Sequence, residues 1–350
     1  MITLQQITRE LKEYDGREIK IMEVCGTHTS SIFKNGIRSL ISPKIKLISG
    51  PGCPVCVTPS VYVDKLVDIS LKENHCVLTF GDMMKVKGNE HSLTEAAAIG
   101  GKVKVVYSPL DAVKIATEDA NTQYVFAAVG FETTTPIYGI LIDEIIKKQI
   151  SNLKILTSLK TITPALTYIC ENEKNIDAFI APGHVSVIIG CDAYKELAEK
   201  YHKPFVVAGF EGEHILAAVY EIFLQLKENK ACMKNMYISA VSDKGNMQAL
   251  SVINQYFEPK DDFWRGIGVI EKSSLRLKPE YFQYDAGSDF DEYKESPPKG
   301  CKCKEVILGR ISPAECPLFA KQCTPLSAVG PCMVSAEGAC GIWYKNRGRE

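Results

Sequence analysis

Eight short runs rich in β-branched residues organise the first two hundred positions of the chain. They fall at residues 19–24, 45–49, 76–80, 103–107, 124–129, 155–159, 178–181 and 205–208. Each run ends in a turn rich in Gly, Pro or Thr, and a helical stretch follows. Strands alternating with helices imply parallel βαβ units. The pattern predicts the α/β class, with two similar open parallel-sheet domains facing a cleft rather than one barrel. A break near residue 118 sets the expected boundaries. Residues 19–117 form a first α/β domain and residues 118–238 a second. Residues 1–18 with 239–350 form a cysteine-rich third domain.

Beyond residue 238 the texture changes. Phe263-Trp264-Arg265-Gly266-Ile267-Gly268 reads as a turn between elements, and the polar stretch 285–299, with Pro297-Pro298, reads as a linker. The last fifty residues carry cysteines without apolar periodicity, so they need a metal or cross-links to order them. Residues 1–11 follow an amphipathic helix pattern with no secretory apolar segment.

Composition narrows the function classes. The chain is 45% hydrophobic and 24% charged, with a formal net charge of −1. That balance gives no clustered excess of Lys and Arg, hence no expected nucleic-acid footprint. The longest apolar runs, such as residues 205–210, are too short to span a bilayer, so no membrane association and a cytoplasmic location are expected. Thirteen cysteines in a reducing compartment point to metal or redox chemistry rather than a disulfide scaffold. Cys76, Cys170, Cys191 and Cys232 lie in helix- or strand-like contexts and read as buried small hydrophobes.

The remaining nine cysteines fall in two populations. Cys25-Gly26-Thr27-His28 and Gly50-Pro51-Gly52-Cys53-Pro54-Val55-Cys56 follow the first two strands. Strand-end loops are where sites of α/β sheets form. Cys25 and His28 allow a buried structural pair, a Cys–His nucleophile, or a soft metal ligand with a nearby imidazole. Cys53 and Cys56 form a C-x2-C, either a redox dithiol or half of a zinc site, with a helix expected to begin at Pro59. Glu132 begins a threonine-rich turn and is either a helix cap or a site residue, and His184 sits in a Pro-Gly-His turn. No turn matches a dinucleotide or phosphate-loop motif.

Cys301, Cys303, Cys316, Cys323, Cys332 and Cys340 make up the second population. They lack the paired knuckles of zinc ribbons, and their wide spacing suits a [4Fe–4S] cluster, with a zinc site or buried thiols as the alternative. If residues 301–303 are extended, the two thiols there point apart and one of them reaches the metal.

Together these motifs closely resemble the HypD family of [NiFe]-hydrogenase maturation proteins. The likeness spans essentially the whole chain. It rests on Cys25-Gly26-Thr27-His28-Thr29, residues 50–58, Thr79-Phe80-Gly81-Asp82-Met83-Met84, Gly130-Phe131-Glu132-Thr133-Thr134, Pro182-Gly183-His184-Val185-Ser186 and residues 330–340. Lys87 departs from it, standing where a proline is expected. The resemblance implies a redox-active assembly scaffold rather than a metabolite-converting enzyme. With the small chaperone HypC it would carry one iron while that iron acquires two cyanides and one carbon monoxide. HypE, with HypF upstream, would deliver cyanide, and the unit would pass to the hydrogenase large subunit. Cys25 then corresponds to the iron-ligating thiol, with His28, Glu132 and His184 as cleft residues and Cys53/Cys56 as a redox pair. The resemblance also implies a [4Fe–4S] cluster on four C-terminal thiols, assigned as Cys301, Cys316, Cys323 and Cys340, with Cys303 and Cys332 as a second pair. A stand-alone thiol–disulfide oxidoreductase and a zinc-stabilised binding module are the competing readings.

Overall fold

A computed structural model describes residues 3–290, 293, 295 and 298–348. Pro297, in the expected linker, lies outside the described residues. Among the described residues eleven strands form two sheets: β1 (Ile19–Glu23), β2 (Ile45–Ser49), β3 (His75–Thr79), β4 (Val103–Val105), β5 (Gln123–Gly130), β6 (Leu153–Lys160), β7 (Ala178–Ala181), β8 (Phe205–Val207), β9 (Met233–Asn235), β10 (Phe257–Trp264) and β11 (Gly268–Leu277). All eight expected runs are strands, and the class is α/β, with no barrel among the described residues.

The first sheet has the order β2-β1-β7-β8-β9 and is parallel throughout. The second has the order β10-β11-β6-β5-β3-β4, parallel from β6 to β4, with β10 and β11 added antiparallel. This corrects the expected linear division at residue 118. One compact unit comprises residues 1–53, 165–247 and 300–350, and the other comprises 54–164 and 248–299. Periodicity locates strands, whereas partners are chosen by packing. Here β1 finds β7 across more than a hundred and fifty residues of chain, in the register Ile21↔Ala178.

In the first unit, Ile19, Ile21, Ile45 and Leu47 of the two leading strands and Ile180 and Val206 of the next two are all buried in one core cluster. The N-terminal helix Leu4–Lys12 adds Ile7 and Leu11 to this cluster, so residues 3–18 belong here and not to a separate domain. Thr3 and Gln6 close a capping box at its start. The cysteine-rich segment 300–348 joins the same unit as short helices between loops.

In the second unit β10 and β11 are joined by the turn 265–267, with Gly266 at a φ of 77°. A left-handed residue in so short a hairpin loop favours glycine. No helix among the described residues is long and apolar enough to cross a membrane.

Candidate functional site

Strand β1 ends at Glu23, and the chain turns at Cys25 into the helix Gly26–Lys34. Cys25 is extended (φ −157°, ψ 127°) and half-buried. Burial pushes its thiol up, while the N–H groups of Thr27 and His28 and the Thr27 hydroxyl pull it down, and Glu337 pushes it up again. Two glycines let other loops reach this turn. A Cβ on Gly52 would sit 2.7 Å from Cys25 Cα, Cys25 N and Val24 C. A Cβ on Gly26 would sit 2.3 Å from the Glu337 carbonyl oxygen. The loop leading into Cys53 therefore lies on the backbone of Cys25, and the cysteine-rich loop lies on the next residue.

Cys53 and Cys56 are disulfide-bonded, and both are buried. The short helix Pro54–Val57 carries Cys56, and a longer helix, Ser60–Leu71, follows Pro59 as expected. A disulfide opens to two thiols by taking up two electrons and two protons, so this pair stores a two-electron change.

His28 lies one helical turn beyond Cys25 and is 0% exposed. Its Nε2 is 3.2 Å from the Ala208 carbonyl oxygen. A carbonyl oxygen only accepts, so Nε2 carries the proton and Nδ1 keeps its lone pair. Nδ1 is buried with no hydrogen-bond partner among the described residues. Burial lowers His28 to about 4, opposed by the Ala208 and Gly209 carbonyls and assisted by His184. His184 is exposed, in the helix Gly183–Ile189, and its ring packs on Phe210 as the His28 ring does.

Glu23, on β1 two residues before Cys25, is a site neighbour that sequence reasoning missed. It is buried; Ser49 donates to its Oε1 at 3.1 Å, and Arg38 lies 3.5 Å from the same oxygen. Within the hydrophobic-looking run 19–24 nothing marks this carboxylate as buried. Glu337 lies inside the motif 330–340 and Phe210 ends the apolar run 205–210, but nothing in their residue types placed them beside Cys25 and His28.

Glu132 belongs to the second unit. It caps a helix, but not the one that follows it in sequence: Oε1 accepts the Ile162 N–H at 2.8 Å, at the start of the helix Ile162–Asn172. Oε2 is buried without a hydrogen-bond partner among the described residues. Burial raises this carboxyl to about 7, against the pull of the Ile162 N–H and its own N–H.

The six C-terminal cysteines gather in the first unit. Cys301 donates to Cys303 Sγ at 3.3 Å, and Cys303 also hydrogen-bonds with Cys332 and Cys340. Those bonds hold the Cys303 thiol down, and together with burial they push Cys301, Cys332 and Cys340 up. Cys316 interacts electrostatically with Cys301, and Cys323 does so with Cys340. Cys323 Sγ accepts the Val329 N–H at 3.4 Å. So many thiols cannot ionise together without a cationic centre. The donor set therefore fits an iron–sulfur cluster: soft sulfur ligands, half-buried or buried, on irregular loops. A separate cavity of about 550 Å³ runs along β2, lined by Lys20, Arg38, Lys46 and Trp343 among others. No cysteine lines it.

Comparison with known proteins agrees with the sequence motifs. The HypD family, described as the Hydrogenase formation hypA family, matches residues 2–347. A putative hydrogenase expression/formation protein of Methanocaldococcus jannaschii is 41% identical over 332 residues, covering 94% of this chain and 92% of its own length. The hydrogenase maturation factor HypD of Escherichia coli is 41% identical over 341 residues, covering 95% and 91%. That of Rhodobacter capsulatus is 38% identical over 340 residues, covering 95% and 90%.

Proposed function

The chain belongs to the HypD family of hydrogenase maturation factors, and from that premise we propose that it is the scaffold on which one iron receives cyanide and carbon monoxide. The observation that carries this reading is the packing around Cys25: Gly52 and Gly26 bring the loop into Cys53 and the cysteine-rich loop against the same turn.

In this reading iron is the cargo and Cys25 its protein ligand, a soft thiolate suited to low-valent iron bearing cyanide and carbonyl. HypC would contribute a cysteine of its own as a further ligand, HypE would deliver cyanide made with HypF, and the hydrogenase large subunit would receive the product, all in the cytoplasm. Cys301, Cys316, Cys323 and Cys340 would hold a [4Fe–4S] cluster, which supplies electrons one at a time when bound. Cys303 and Cys332, hydrogen-bonded to each other, are the companion thiols. Cys53 and Cys56 accept two electrons and two protons as their disulfide opens, and return them when it closes. His28 offers a bare Nδ1 and Ala208 fixes its tautomer, so the imidazole accepts rather than donates a hydrogen bond at that atom.

The disulfide also suits a stand-alone thiol–disulfide oxidoreductase. Anaerobic co-purification with HypC followed by infrared spectroscopy separates the two. The scaffold gives bands in the cyanide and carbonyl stretching regions. Disulfide reduction without HypC, and no such bands with it, favours the oxidoreductase.

A further inference from the structure

Three strand-end loops of the first sheet meet at one aromatic ring. Strand β8 ends at Val207, and Ala208 and Gly209 lead to Phe210. The Phe210 ring lies 4.7 Å from the His28 ring at an interplanar angle of 32°, and 4.2 Å from the His184 ring at 30°. At these separations the rings are in direct contact, with their planes tilted. Gly183 makes room for it, since a Cβ there would lie 3.0 Å from Phe210 Cζ and 2.8 Å from the Ala208 carbonyl oxygen. The Phe210 carbonyl accepts the Ser31 hydroxyl at 2.5 Å, which ties the loop to the helix carrying His28. Tyr237 meets the same ring edge-on at 6.1 Å.

Core packing alone does not account for this ring. Phe210 is only half-buried and lies outside the apolar cluster of its unit. Two of its three ring neighbours are imidazoles, and one of them, His28, is fully buried with one nitrogen bonded and the other bare. A lone histidine facing a carbonyl rotates about its own side-chain bonds, and a ring packed against it restricts that freedom.

We propose that Phe210 is a positioning residue: its ring holds the His28 imidazole with Nε2–H on the Ala208 carbonyl and seats His184 beside it, keeping His28 Nδ1 a hydrogen-bond acceptor. The inference deepens the assembly-scaffold reading, because it says how the imidazole one turn beyond Cys25 is kept in one orientation.

The test uses the full-length protein with ¹⁵N-labelled histidine. Long-range ¹H–¹⁵N correlation distinguishes the two tautomers, and single His→Gln variants assign the six histidines. The wild type gives His28 as one tautomer, with the proton on Nε2. Phe210→Leu and Phe210→Met, both apolar but without a ring, lose that single signature and give a mixture, while Phe210→Tyr restores it. Circular dichroism checks that each variant is folded, and having two ringless variants guards against one that fails to fold. A single Nε2–H tautomer in folded Phe210→Leu or Phe210→Met overturns the proposal. So does a mixture in Phe210→Tyr. The measurement needs neither iron nor HypC, so it stands apart from failure of the scaffold reading, which shows instead as absent cyanide and carbonyl bands in the wild type.

Discussion

Replacing Gly52 with alanine tests the packing that joins the Cys25 turn to the loop into Cys53. The added Cβ lies 2.7 Å from Cys25 Cα, Cys25 N and Val24 C, whereas ordinary contact begins at 3.4 Å. Backbone atoms must therefore separate by about 0.7 Å, the gap between those two distances. No flexible side-chain end is available to absorb the clash. Overpacking of this kind costs ~1–3 kcal/mol of folding stability. A misplacement approaching ~1 Å at a reacting group costs up to ~100-fold in rate. Urea unfolding of Gly52→Ala should show that loss. Infrared spectroscopy of the complex with HypC should show cyanide and carbonyl bands accumulating at least ~10-fold more slowly, within that bound. Gly81→Ala is the control, since its nearest neighbour would be 3.9 Å away, and its stability should be unchanged. Wild-type stability and wild-type loading in Gly52→Ala would refute the argument.

Further expectations follow from individual groups. Glu132, raised to about 7 from 4.5, binds its proton more tightly folded than unfolded, so its contribution is complete below pH 4.5 and is lost as pH rises through 7. The difference corresponds to ~3 kcal/mol, so the stability of wild type relative to Glu132→Gln should fall by about that much between pH 4.5 and 8 in urea titrations; a flat difference contradicts it. Asp262→Ala removes the countercharge 2.7 Å from the buried Lys160 ammonium, leaving it the Phe263 carbonyl at 2.8 Å, and should cost ~3–5 kcal/mol in the same assay. A loss below ~1 kcal/mol, the ordinary size of an exposed pair, would show that the lysine finds water or another partner. Among the C-terminal thiols, Cys323→Ser should lose most sulfide-bound iron by anaerobic iron and sulfide analysis, while Cys303→Ala should retain it. The reverse result would exchange their assignments.

Much of the first layer was legible because strands carry their own signal. The β-branched runs and the glycine-rich turns after them depend on neighbouring residues alone, and all eight are strands. Sheet membership is not local. Nothing in residues 19–24 or 45–49 indicates pairing with residues 178–181 and 205–208 instead of 76–80 and 103–107. Strands β9, β10 and β11 were missed for compositional reasons. Met233-Lys234-Asn235 is short and polar, and Glu258-Pro259-Lys260-Asp261-Asp262 reads as a loop, though antiparallel edge strands tolerate such residues.

The site shows the same division. Cys25, His28, Cys53, Cys56 and His184 stood out because thiols and imidazoles in strand-end turns are chemically conspicuous. Glu132 stood out too, yet its cap spans from one strand end to a helix thirty residues later, beyond any local capping pattern. Phe210 and Glu23 were invisible as site residues, since a phenylalanine and a strand carboxylate acquire meaning only from what the fold places against them.

The most direct test of the account compares Cys25→Ala with wild type after anaerobic co-purification with HypC, reading infrared spectra together with iron and sulfide content. The account predicts that the variant keeps its sulfide-bound iron and its partner but loses the cyanide and carbonyl bands. Unchanged bands in Cys25→Ala would contradict it.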